Sequence, residues 1–396
     1  MFKMRTLMLA WEFPPMKSGG LGVVCYHLTK ELGELGVDII YLLPKIPENL
    51  RHEFEKLISA NYPRNKVKFY ELDIKLYPYL RLEDSELKVY FSYTSENLEK
   101  YKRLACKIAE LEHFDVIHCH DWMTFPAGVE LKYKFGKPLV LHVHSTSYDR
   151  CGGNLNRELL DYKIEKYGFA HADKIIAVSR RIKNIIVNFY DVPPEKVEVV
   201  YNAAILRERI RELHLEKLKR YKIVLFLGRL TLHKGPDWFL RAAHKVLQFE
   251  PNVLFIVGGS GEMMPQLIKL SADLGIGDKV IFTGALSDRE VDALYELADV
   301  YVMPSLSEPF GITPLEALYH DKPVIISKQA GVSEVLRNVF QVDFWDVDEM
   351  VNKIVALLRY PKLAEELVRV GKEEASYLSW RKSAEQVLEV YRLLTA

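Results

Sequence analysis

The chain reads as an α/β protein built of two doubly wound halves. Three observations lead there. Short apolar runs alternate with stretches of helical periodicity, the alternation restarts after residue 222, and nearly all the glycine-rich or charged loops follow a run. Short buried strands alternating with amphipathic helices imply a parallel sheet covered on both faces. Ligands of such sheets bind beyond the carboxyl ends of the strands.

In the first half, "TLMLAWEF" has the character of a strand and "KSGGLG" of a loop. "VVCYHLTKELGELG" has helical spacing with Gly36 as its stop, and "VDIIYLLP" is again a strand, which completes one βαβ unit. Further strands are expected at "DVIHCHD", "PLVLHVHS", "KIIAVS" and "VEVVYN". In the second half, "KIVLFLGRL", "NVLFIVGG", "KVIFTGAL", "VYVMPS" and "PVIIS" alternate with helices starting near Pro236, Met263, Asp288 and Thr313. The charged, helix-prone "ILRERIRELHLEKLKRYK" between the halves reads as a solvated connection.

These signals divide the chain into an N-terminal domain, 1–206, and a C-terminal domain, 207–377. The last segment, 378–396, carries Trp380, Ala384, Val387, Leu388 and Tyr391 on one helical stripe. It can pack on the second domain or return to brace the first, and the return is expected. With both domains opening at strand carboxyl ends, the expected ligand site is an interdomain cleft.

Composition narrows the class. At 396 residues the chain is too long for one ordinary core, and 49% hydrophobic with 27% charged residues is globular composition. Lys+Arg (54) and Asp+Glu (54) cancel, so no overall field draws the protein to nucleic acid. The four cysteines, Cys25, Cys106, Cys119 and Cys151, show no CxxC spacing and suit a reduced compartment. The opening "MFKMRTLMLAWEFPP" resembles a signal peptide, but its apolar run meets Glu12 and two prolines with no cleavage site, so a first buried strand is expected. No apolar stretch approaches bilayer length, and a cytoplasmic protein without stable membrane insertion is the expectation.

The loops carry the chemistry. In "KSGGLG", adjacent glycines opening a helix let backbone N–H groups approach an anion, although a tight strand-to-helix turn explains them equally well. The spacing is not GxGxxG and the second strand ends without an acid for a ribose, which argues against a nicotinamide dehydrogenase. "LGRLTLHKG" puts Arg229 and Lys234 in one loop, where a planar fork and a point charge can meet one pair of phosphates.

Histidines gather in "HCHD" (His118, His120, Asp121) and "HVHS" (His142, His144). Strand alternation puts both histidines of each pair on one face. Four imidazoles and a carboxylate are enough donors for zinc, yet no HExxH or Cys–His spacing accompanies them. Polar strand ends and core histidines are the preferred reading, and no metal is expected.

The stretch "SLSEPFGITPLEAL", residues 305–318, holds two carboxylates, Glu308 and Glu316. Thr313, Pro314 and Glu316 fit a helix start as N-cap, N1 and the N3 member of a capping box. That accounts for Glu316 but not for Glu308, which precedes a Pro-Phe-Gly turn.

"EPFGITPLE" resembles the E-x7-E motif of retaining GT-B glycosyltransferases, family 4 in particular. "KSGGLG" resembles the K-x-G-G-L loop of glycogen and starch synthases, "CHDW" their His-Asp-Trp stretch and "LGRLTLHKG" their G-R-x4-K-G phosphate loop. "HSTSYDRCGGN", "ADKIIAVS…VYNA", "GGSGE" and the Trp-led final helix also fit, so the resemblance spans essentially the whole chain. One departure is Ala203-Ala204-Ile205, where the family usually continues Gly-Val/Ile-Asp.

The resemblance implies a GT-B enzyme moving glucose, with retention, from UDP- or ADP-glucose to the non-reducing end of an α-1,4-glucan. A family 4 hexosyltransferase with a lipid-linked, oligosaccharide or small-molecule acceptor is the alternative. It implies that Glu308 orients the hexose and meets positive charge at the anomeric carbon, that His144 holds the sugar, and that Asp121 lies near the acceptor. Donor contacts are implied for Lys17, Gly19, Gly20, Arg229, Lys234, Gly259, Phe310, Gly311, Ile312, Thr313 and Glu316, the last on the ribose. No cofactor is implied beyond the nucleotide-sugar co-substrate, because side-chain cations and a helix dipole stand where a metal would.

Overall fold

The structure is a computed structural model that describes residues 4–16, 20–62, 66–74, 95–204 and 220–396. The chain divides into two compact units. The first comprises Met1–Tyr148, Leu155–Asn202 and Ser379–Ala396; the second comprises Asp149–Asn154 and Ala203–Leu378.

The first unit holds a seven-stranded sheet of β1 (Arg5–Leu9), β2 (Asp38–Pro44), β3 (Val67–Leu72), β4 (Val116–His120), β5 (Leu139–Val143), β6 (Lys174–Ala177) and β7 (Val197–Val199). Their order is β3-β2-β1-β4-β5-β6-β7, and every pair is parallel. The central strands β1, β4 and β5 are buried almost throughout, as expected where helices cover both faces. The winding reverses between β1 and β4, so the loops leaving these two strands diverge to opposite sides and open a crevice at the sheet's carboxyl edge.

The second unit repeats the plan with β8 (Lys222–Leu227), β9 (Val253–Gly258), β10 (Val280–Gly284), β11 (Val300–Met303), β12 (Val324–Ser327) and β13 (Phe340–Val342). The order β10-β9-β8-β11-β12-β13 is again wholly parallel and reverses between β8 and β11. Phe226, Phe239, Phe255, Val302 and Ile354 belong to one continuous apolar core beneath it. Two doubly wound parallel sheets are the α/β class read from the sequence.

Details differ from the expectation. The first strand ends at Leu9 rather than running to Phe13. Glu12 turns back to accept the Gly22 N–H at 3.3 Å, and Phe13 pairs locally with Met16 across Pro14 and Pro15. The edge strands β3 and β13 have no counterpart in the sequence reading. β3 is only partly buried and β13 is three residues long, so neither shows a buried apolar run.

The final helix, Trp380–Thr395, starts with the Ser379 side chain accepting from Lys382 N. It packs within the first unit. Trp380 stacks on His27 of the helix Gly20–Glu34 at 5.2 Å and 11°, and Ser383 Oγ donates to Tyr201 O at 2.6 Å. The stripe Trp380, Ala384, Val387, Leu388 and Tyr391 is buried. Fully burying such side chains stabilises by about 1.5–3 kcal/mol each for the larger ones.

Candidate active site

In the second unit the candidate donor residues sit on the loops leaving the two strands that flank the reversal. Arg229 and Lys234 follow β8, and Glu308 follows β11. Lys234 Nζ donates to Glu308 Oε2 in an ion pair whose side chains are 23% and 8% exposed. Ser305 Oγ reaches the same oxygen at 3.5 Å. A charge pair this sheltered is screened far less than one at the surface.

The β8 and β11 loops can approach because of one glycine. Gly235 has φ +68°, and a Cβ there would lie 2.1 Å from Pro304 O. Gly259, after β9, has φ +125° and would meet Gly228 O at 2.0 Å. Either substitution would push the loops apart.

His233 reports how the cations converge. Burial first, and then the charges of Lys234, Arg229 and Arg150, together lower its pKa to about 3. Arg150 belongs to the short segment Asp149–Asn154, whose Asp149 accepts from Ser307 Oγ at 2.7 Å. Neither Arg150 nor Asp149 stood out in the sequence.

Glu308 is fixed through its backbone. Its N–H donates to Gln329 O at 3.2 Å, its carbonyl accepts from Gly331 N at 3.0 Å, and Phe310 O accepts from Val332 N at 2.7 Å. Gly311 completes the turn at φ +100°.

The capping box expected at Thr313 is absent. The helix spans Thr313–Tyr319, its N-cap is Ile312 with no side-chain cap, and Pro314 lies in the first turn. Ile312 is itself helical at φ −80°, ψ −33°, which takes Thr313 inside the helix. The Thr313 hydroxyl accepts from Tyr301 Oη at 2.7 Å, and Glu316 Oε2 accepts from Tyr295 Oη at 2.9 Å. Tyr295 stacks at 5.2 Å on His320, which bonds Glu296 at 2.9 Å. Glu316 is therefore a buried carboxylate oriented by a tyrosine, not an exposed cap. A seven-residue helix also offers little dipole, which leaves more of the anion binding to side-chain cations such as Arg229 and Lys234 on the loop after β8.

In the first unit the candidate residues sit beyond β4 and β5. Asp121 adopts φ +59° and its Oδ1 accepts two backbone N–H groups, from His144 at 2.8 Å and Ser145 at 3.3 Å. Asp121 and His144 are thus brought together. Gly20 opens the helix Gly20–Glu34, whose first turn is met by the buried Glu12 carboxylate. Sequence reasoning used Glu12 only as a break in an apolar run. Lys17 and Gly19 lie outside the described residues.

The four histidines form a stacked quartet. His118 and His120 stack at 4.5 Å, His142 and His144 at 4.4 Å. Register sets this: His118 lies opposite Val140 and His120 opposite His142, so each reaches one pleat further along β5. His118 Nε2 meets His142 Nδ1 at 3.3 Å and His120 Nδ1 meets His144 Nε2 at 2.9 Å, while His118 Nδ1 bonds Tyr391 Oη. One ring nitrogen each from His118, His120 and His142 lies within 4.8 Å of the others. Zinc–nitrogen bonds of about 2.0 Å need donors only about 3.3 Å apart and aimed at one point. Rings stacked face to face, with both nitrogens of His118 already engaged by Tyr391 and His142, are not aimed at one point in that way. Turnover is expected to survive excess EDTA; loss on chelation with recovery on zinc would make the quartet a metal site.

Burial holds all four imidazoles neutral, with His120 pushed down to about 3 and the others also lowered. In the unfolded chain each titrates near 6.5. Below about pH 6.5, and down to about pH 3 for His120, the unfolded state therefore binds protons that the folded state refuses. The neutral quartet's stability is whole above pH 6.5 and is lost as pH falls below it. Melting temperature is expected to drop steeply from pH 7 to pH 4, and a flat profile would exclude the effect.

Two doubly wound parallel sheets, with a paired cation and carboxylate beyond the strands of the second, fit a GT-B nucleotide-sugar transferase. Residues 207–374 match the family model for glycosyl transferases group 1, and residues 5–192 match the model for the starch synthase catalytic domain. A relative named uncharacterized glycosyltransferase MJ1607, from Methanocaldococcus jannaschii, is 30% identical over 98% of both chains. The D-inositol 3-phosphate glycosyltransferase of Acidothermus cellulolyticus is 28% identical, covering 98% of this chain and 90% of the relative. Among solved structures, sucrose-phosphate synthase from Thermosynechococcus elongatus superposes with TM-score 0.79 at 20% identity, over 99% of each chain. Anabaena HepE, in complex with UDP and glucose, gives 0.76 at 18% over 99% of this chain and 100% of its own. The chain belongs to glycosyltransferase family 4, the retaining hexosyltransferases of GT-B fold whose donors are nucleotide sugars. Among the described residues no helix is long and apolar enough to cross a membrane, and all four cysteines are free thiols.

Proposed function

We propose that this protein transfers a hexose, with retention, from a nucleoside diphosphate hexose to a hydroxyl of a small-molecule or oligosaccharide acceptor. The observation that carries the reading is the sheltered Lys234–Glu308 pair beside Arg229. The bond from the anomeric carbon to the β-phosphate breaks, leaving negative charge on the diphosphate and positive charge on the sugar. Arg229 and Lys234 meet the first, and Glu308 meets the second. Removal of one such partner costs roughly 3 kcal/mol of transition-state stabilisation. A phosphate oxygen of the leaving group takes the acceptor's proton as the new bond forms on the same face. The family pattern assigns Glu316, which also accepts from Tyr295 Oη, to the ribose. The family pattern assigns His144 to the transferred sugar and Asp121 to the acceptor side.

For the acceptor, relatives named as D-inositol 3-phosphate glycosyltransferases favour a small, phosphorylated hydroxyl compound. The second reading is a glucan synthase using UDP- or ADP-glucose, favoured by the starch synthase model over residues 5–192. A donor screen separates them. UDP- and ADP-glucose, UDP-N-acetylglucosamine and GDP-mannose are each offered with inositol phosphate, glucose 6-phosphate, maltooligosaccharide or glycogen. Nucleotide release and product linkage are read. Turnover with a sugar or inositol phosphate and none with glucans supports the first reading. Elongation of maltooligosaccharide supports the second, and release with no donor would overturn both.

A further inference from the structure

We infer that His120 is a positioning residue for His144, holding its ring in one tautomer and orientation for the transferred sugar. The inference rests on the sugar-binding role given to His144 above. The backbone of His144 is already fixed at one point, since its N–H donates to Asp121 Oδ1 at 2.8 Å. That bond sets the start of the side chain and leaves the ring free to turn about its own bonds. The second point is His120, whose Nδ1 lies 2.9 Å from His144 Nε2. Both restraints come from consecutive residues at the exit of β4, so one strand end grips the other.

His120 is itself enclosed. It is fully buried, stacked on His118 at 4.5 Å and on His142 at 5.2 Å, and His118 is tied to Tyr391 on its far side. A ring this enclosed is a rigid reference against which His144 can be set. With Nε2 of His144 engaged, its Nδ1 is the ring atom left without a hydrogen-bond partner, and it is buried. A buried polar atom without a partner costs about 1–3 kcal/mol. In the neutral His120–His144 pair one nitrogen donates and the other accepts, so the tautomer of His144 is coupled to that of His120.

The test uses the full chain with UDP-glucose as the probe, reading UDP release with maltooligosaccharide and, separately, to water. Asparagine places an amide near the Nδ1 position of histidine, whereas phenylalanine keeps the stacking and offers no polar atom there. His120→Phe is expected to lose roughly 10²-fold in kcat with KM for UDP-glucose little changed, as for a misplaced group. His120→Asn is expected to recover to within about threefold of wild type, given a hydrogen bond at the same place. Thermal melts and UDP binding establish that each variant is folded. A folded His120→Phe with near-wild-type kcat overturns the inference, and so does a folded His120→Asn no better than His120→Phe. Wild-type turnover in His144→Ala would instead overturn the role given to His144, which separates the two failures.

Discussion

Glu308→Gln is expected to lower kcat by roughly 10²-fold or more with little change in donor KM. The carboxylate is buried, backbone-fixed on both sides and paired with Lys234. Its charge is thus poised in a medium where charge matters more than in water. Glutamine preserves shape and one acceptor but cannot stabilise a cationic anomeric centre. Binding of nucleoside diphosphate is not expected to weaken, because Glu308 competes with the diphosphate for Lys234, with which it is paired. Glu316→Gln is the comparison. Its observed task is to accept the Tyr295 hydroxyl at 2.9 Å, which an amide oxygen can also do, so its effect is expected to stay within about tenfold. Both variants need matched melts before their rates are compared. Near-normal kcat in Glu308→Gln with loss in Glu316→Gln would reverse the two roles.

Lys234→Ala is expected to remove about 3 kcal/mol of transition-state stabilisation, roughly a 10²-fold fall in kcat, and to weaken nucleoside diphosphate binding as well. The two effects travel together because the lysine meets charge both in the bound diphosphate and in the departing one. The geometry adds a stability term. Without Lys234 the sheltered Glu308 carboxylate loses its cation, and about 1–3 kcal/mol of destabilisation is expected from a charged group left under-satisfied. The double variant Lys234→Ala with Glu308→Gln is therefore expected to melt higher than Lys234→Ala alone. Calorimetric titration with UDP, melts and turnover measure all three. Wild-type turnover in Lys234→Ala would remove this residue from the phosphate site.

Much of this site was legible before any coordinates. Arg229, Lys234 and Glu308 declared themselves as charges on loops after apolar strands, where open sheets bind ligands. The two HxH pairs were placed on one face by strand alternation alone. Reading failed where a local pattern had a tertiary competitor. Thr313-Pro314-x-Glu316 has every residue of a capping box, yet Tyr301 and Tyr295 reach in from other elements and take both polar side chains. A real capping box forms instead at Ser287 and Glu290, where the helix start is exposed and nothing competes. Likewise Glu12 looks like an interruption of a strand until the chain folds and Gly22 comes within reach.

By itself the sequence determined the class of fold, the order of its buried strands, and which loops bear charge. Those follow from hydrophobic period and from short-range backbone chemistry, which act within a dozen residues and survive in any context. Only the tertiary structure decided which polar groups meet. It paired Lys234 with Glu308, Tyr295 with Glu316 and His120 with His144, set Asp121 against the backbone of His144, and grouped Asp149 with Ser307. Each of these partners comes from a different strand exit or helix, and their separations along the chain run from 21 to 158 residues. Hydrogen bonds and ion pairs act over a few ångströms, so their partners are fixed by register and loop closure, which no local pattern encodes.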